Sequence, residues 1–60
     1  MKKLRKIIPN ANIIFYCMVG MYEIYYMMMG RVIILYRGKC SRSAAIKRAI
    51  EKAMENKIPD

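Results

Sequence analysis

The residues best suited to chemistry in this 60-residue chain lie in one basic turn, Arg37-Gly38-Lys39-Cys40-Ser41-Arg42-Ser43. The turn runs straight into Ala44 to Met54, where apolar residues recur at three- and four-residue spacing, the pattern of an amphipathic helix. The start of a helix holds unpaired N–H groups and partial positive charge. Cations at Lys39 and Arg42 make that end more positive, which costs stability unless an anion sits there. A phosphate suits such a site. The chemistry on offer is therefore anion binding, with charge from Arg37, Lys39 and Arg42 and a hydroxyl from Ser41.

Other chemistries find few parts. There is no His, and the four acids are Glu23, Glu51, Glu55 and Asp60. General acid–base catalysis has little to work with, and a chain this short builds only a thin core. We therefore expect a non-enzymatic protein. Cys17 and Cys40 form no CxxC pair and have no His to complete a zinc site. Cys17 sits in an apolar run, where a thiol behaves as a small hydrophobe. Reduced thiols and a cytoplasmic setting follow as expectations. Gly38-Lys39 has the look of a P-loop end, but Gly30 is too far upstream and Cys40 replaces the Ser or Thr. No cofactor or metal is expected.

The formal charge of +8 and a pI near 9.9 favour a polyanionic partner, either nucleic acid or an anionic membrane surface. Lys2, Lys3, Arg5 and Lys6 open the chain, and Pro9-Asn10-Ala11-Asn12 closes this first stretch. Residues 1–12 read as a basic arm, of a kind often disordered until it meets its partner, or else as a solvated tail. The start resembles a signal peptide, yet Pro9, Asn10 and Asn12 interrupt it and no small-residue cleavage site follows. Arg31 adds a cation before the third apolar piece. The expected phosphate contacts are thus Lys2, Lys3, Arg5, Lys6, Arg31, Arg37, Lys39, Ser41 and Arg42. Lys47, Arg48 and Lys52 read as an ordinary solvated helix face.

These residues must be positioned by the apolar run 13–36. Its length would fit a membrane span. The Ile, Val, Leu and Phe residues in it would supply about −3 to −5 kcal/mol on an insertion scale, and Glu23 would cost about +2.5 to +3.5 kcal/mol. The balance is near zero, and basic residues flank both ends, so a membrane span is disfavoured. Strands fit better, because β-branched and aromatic residues dominate and Gly20 and Gly30 divide the run into strand-length pieces. We expect strands at 12–19, 21–28 and 31–37, then a helix over 42–57 with Ser41 or Ser43 as N-cap and Pro59 as a stop signal. Residues 13–60 would form one α+β domain, a three-stranded antiparallel sheet packed on one C-terminal helix (β-β-β-α).

Strand alternation puts Tyr22, Ile24, Tyr26 and Met28 on one face, and Glu23, Tyr25 and Met27 on the other. One helix covers only one face, and the spacing leaves open which. The remaining face would expose a contiguous patch, a rarity in monomeric proteins, and Met adapts readily to partner surfaces. Tyr22, Ile24, Tyr26 and Met28 are the candidate contacts to another protein or to a second copy of the chain.

The local pattern resembles the N-terminal arm-type, AP2-like DNA-binding domain of lambda-like tyrosine recombinases. Pro9-Asn10, Gly20 then Tyr22, Gly30, Leu35-Tyr36-Arg37-Gly38, Ala45-Ile46 and Ala49-Ile50 carry the likeness. Ser41-Arg42, Ala45, Ala49 and Ala53-Met54 are similar to the C-terminal strand–helix part of double-stranded RNA-binding domains. Both likenesses imply a nucleic-acid-binding module. The strands offer Met, Ile and Tyr rather than base-reading polar residues, so phosphate contact is the role implied. The leading expectation is a small basic nucleic-acid-binding protein, with DNA ahead of RNA. The alternatives are a phage-type adaptor or inhibitor that binds a protein or itself through an apolar sheet face, and a single-span membrane peptide.

Overall fold

A computed structural model describes residues 1–57. The elements run α1 (Lys2–Ile7), β1 (Asn12–Tyr16), β2 (Met21–Met28), β3 (Arg31–Gly38) and α2 (Arg42–Lys57). The strands form one antiparallel sheet in the order β1-β2-β3. The α+β class and the β-β-β-α order are as the sequence implied, with a short N-terminal helix in addition. The run 13–36 is folded as strands, and no described helix is long and apolar enough to cross a membrane. Pro59, the expected stop signal, lies outside the described residues.

The core is a narrow seam. Ala45, Ala49 and Ala53 of α2 are buried against Ile24 of β2 and Leu35 of β3, with Leu4 and Ala11 completing the cluster. Alanine at each four-residue step brings the helix close to the sheet, and Ile46 and Ile50 fill its flanks. Met54, expected on the same stripe, is instead exposed. The Ser41 hydroxyl accepts a hydrogen bond from the Ala44 N–H at 3.2 Å, so Ser41 is the N-cap.

The register explains both hairpins. Ile13 pairs with Ile24, which sets Tyr16 opposite Met21 and leaves residues 17–20 to close the turn. The first strand therefore ends three residues before the expected 12–19. The Val19 N–H closes this turn on the Tyr16 carbonyl at 3.2 Å, and Cys17 is exposed on it rather than packed as a small hydrophobe. Between β2 and β3, Met28 pairs with Arg31, so Met29-Gly30 is a two-residue loop. Both loop residues have positive φ, 52° and 75°, which a type I′ turn requires. Methionine carries a steric cost there of about 1 kcal/mol, and its side chain is 96% exposed. Replacing Met29 by Asn should therefore raise stability by about 0.5–1 kcal/mol, read as a higher urea midpoint at unchanged slope.

A bulge breaks alternation in β3. Ile24 faces Tyr36 and Tyr25 faces Ile34, so Leu35 is the extra residue. Leu35 and Tyr36 consequently both turn toward the core, while Ile34 and Arg37 face away. Gly38 then has to be small: a Cβ there would meet the Tyr36 hydroxyl at 2.6 Å.

Residues 1–12 do not form the disordered arm that their charge suggested. Arg5 N–H bonds to the Met1 carbonyl and Ile8 N–H to the Leu4 carbonyl, at 3.0 and 2.8 Å. The helix stops at Ile8, whose extended backbone (φ −127°, ψ 95°) is what a following proline imposes. Six residues are too few to hold a helix alone. Packing against α2 supplies the rest, with Leu4 fully buried and Ile7 and Ile8 at the seam.

Candidate nucleic-acid interface

The basic turn joins β3 to α2. Gly38 ends the strand, Lys39 and Cys40 bridge, and Ser41 caps the helix. Lys39, Ser41, Arg42 and Ser43 are exposed, and no acid sits in the first turn of α2. The Ser41 hydroxyl is engaged by the Ala44 N–H and lies 3.3 Å from the Ser43 hydroxyl. Its first task is therefore capping. Hydrogen bonding with the Cys40 thiol holds the neighbouring Tyr36 phenol above its ordinary pKa.

The other predicted cations divide into separate groups. Lys2, Lys3 and Lys6 are exposed on α1, which packs on α2. Arg5 lies on α1 too, but its Nε donates to the Ala11 carbonyl at 3.1 Å and pins α1 to the start of β1. Arg31 opens β3 and Arg37 nearly ends it, so the two stand about 20 Å apart along the strand. Arg31 therefore belongs to the hairpin end, away from the turn. Lys47, Arg48 and Lys52 are exposed on α2. Arg48 lies 3.9 Å from Glu51, an exposed contact of small energetic value.

Arg37 faces the open side of the sheet, where it meets the one acid of the strands. Glu23 Oε2 is 3.8 Å from Arg37 Nε, and Glu23 Oε1 accepts a hydrogen bond from the Tyr16 hydroxyl at 2.8 Å. The Glu23 side chain is only 13% exposed, against 58% for Arg37. The carboxylate is thus clamped across all three strands. Bonding to Glu23 raises the Tyr16 phenol above its usual value of 10.0. The folded protein holds that proton more tightly than the unfolded chain. The stability linked to it is complete below pH 10 and is lost as pH rises through the elevated folded value. Glu23→Gln should bring the Tyr16 titration back down toward 10, measurable as the tyrosinate absorbance midpoint.

Around this clamp the open face is apolar. Ile14, Tyr25, Met27, Val32 and Ile34 share it, and the last three are about half exposed. The candidate contacts Tyr22, Ile24, Tyr26 and Met28 lie on the opposite face, the one that α2 covers. Ile24 is fully buried, and Tyr22 and Tyr26 pack against the core, so these residues do not form the face that α2 leaves open; that face has the other parity. Met28 remains half exposed and, with Tyr26, lines an apolar groove of about 350 Å³ between Ile7, Ile8, Pro9, Leu35 and Ala53. Glu23 was the signal that could have settled the face. A carboxylate on a strand turns away from a helix-covered core, and it takes Tyr25 and Met27 with it.

Among the described residues, no group of His, Cys, Asp and Glu gathers to hold a metal ion. Compared with protein-family models, with curated proteins and with solved structures, the chain has no match in any of the three.

Proposed function

We propose that this chain is a small, non-enzymatic nucleic-acid-binding protein that holds phosphates at the β3–α2 turn. The observation that carries the reading is the exposure of Lys39 and Arg42 at the acid-free start of a sixteen-residue helix. Backbone N–H groups, the helix dipole and two side-chain cations all favour an anion there. Lys2, Lys3 and Lys6 add a second basic surface that extends contact along a polyanion. Arg37 contributes less, since Glu23 already draws on its charge. The test is anisotropy of labelled duplex DNA and of double-stranded RNA at low salt. Tight binding that weakens steeply with salt supports the reading, and absence of binding to both at low salt rejects it.

A second reading follows from the open face, where Val32 is 58% exposed beside Met27 and Ile34. That surface suits a protein contact rather than base reading, because it offers few donors or acceptors. The variant Val32→Lys separates the two readings. It should leave nucleic-acid binding intact or slightly stronger, and it should abolish capture of a protein partner seated on the open face.

A further inference from the structure

The sheet is covered unevenly. Helix α2 packs on β3 and β2, and neither helix packs along β1. Among the described residues, the outer edge of β1 has no neighbouring strand. Part of the strand is correspondingly bare: Phe15 is 51% exposed although it belongs to the covered face, where its ring contacts Tyr22 at a separation of 4.7 Å. An edge strand with open N–H and C=O groups and apolar side chains is a template for another strand.

Charge leaves this edge open to a second copy. No charged residue occurs from Asn12 to Tyr22, in a protein whose net charge is +8. A second +8 copy faces like charge at every basic surface of the first, and this segment is where it meets none in direct contact. The other edge, β3, is closed to a copy. Antiparallel self-pairing about Ile34 would set Arg31 against Arg37 of the second chain, twice, and like charges directly opposite destabilise a pair. The bulge at Leu35 distorts that edge further.

We propose that β1 is a homodimer strand, pairing antiparallel with β1 of a second copy about Ile14 to build one six-stranded sheet. Ile13 then lies opposite Phe15 of the other copy, at two symmetric places, and covers the ring that α2 leaves bare. Asn12 lies opposite Tyr16, and the two open faces become one surface. The interface is isologous and closes on itself, so growth stops at the dimer. The inference stands on edge geometry and charge, independently of whether the protein binds nucleic acid.

The test is sedimentation equilibrium of the full chain from micromolar to millimolar concentration, with circular dichroism to verify the fold. The wild type should reach twice the 7.1 kDa chain mass. Phe15→Lys, which sets a cation on the neutral edge, should shift the association at least tenfold toward monomer. Val32→Lys, on β3, should not. Should Phe15→Lys lose its fold, Asn12→Lys, an exposed position on the same edge, is read in its place with the same expectation. A monomer at every concentration overturns the proposal. So does a dimer that resists the β1 variant, or one that dissociates with Val32→Lys alone.

Discussion

Leu4→Ala should destabilise the domain by about 2–5 kcal/mol, the range for truncating a fully buried leucine. Leu4 has no exposed surface, and it is one of the two largest side chains buried completely. Its neighbours in the seam are alanines of α2, which cannot move in to fill the space. A domain of this size has little stability in reserve, so the loss should leave much of the population unfolded at 25 °C. Urea denaturation checks it: the midpoint falls, or the transition vanishes. Lys3→Ala, one residue away and exposed, should stay within about 0.5 kcal/mol of wild type. A disordered arm would give equal, negligible effects at both positions, so the contrast between them is the measurement.

That contrast also marks where the sequence was readable. The strands and α2 were legible because each carries many concordant signals. Glycines fall at both hairpins, β-branched residues fill the strands, and alanines repeat every fourth position after a Ser cap. Helix α1 has Leu4 and Ile7 as its only apolar pair at helical spacing, set among four cations. Charge there outweighed a pattern too short to show a period. Its fold depends on α2, a partner nearly forty residues on, and that dependence is tertiary. The choice of sheet face failed for a different reason. Both parities of β2 are rich in Tyr and Met, so hydrophobicity cannot rank them. Only the single polar residue, Glu23, separates them, and it marks the open face, where Tyr16 and Arg37 converge on it. The bulge at Leu35 was hidden as well, since an extra residue leaves no mark within the apolar run from Val32 to Tyr36.

The same geometry separates the cations that should matter most for phosphate binding. If about six phosphates are neutralised, affinity should fall roughly a thousandfold between 50 and 200 mM salt. Removing Lys39 and Arg42 together should lower affinity about a hundredfold at 50 mM and reduce the log–log salt slope by about 2, one unit per lost phosphate contact. Both residues are exposed and lie beside the N-terminus of α2, so the fold should survive their truncation to alanine. Arg37→Ala should behave otherwise. Its guanidinium faces the Glu23 carboxylate, which is largely buried, so the loss leaves that acid with the Tyr16 hydroxyl alone and registers chiefly in stability, with a smaller change in slope. Arg31→Ala should reduce the slope only for a nucleic acid long enough to reach both ends of β3, a span of about 20 Å. Comparing a short duplex with one of twenty base pairs therefore decides whether the hairpin end takes part. Equal slopes for wild type and the Lys39–Arg42 double variant would remove the turn from the interface and leave the exposed lysines of α1 as the place to look.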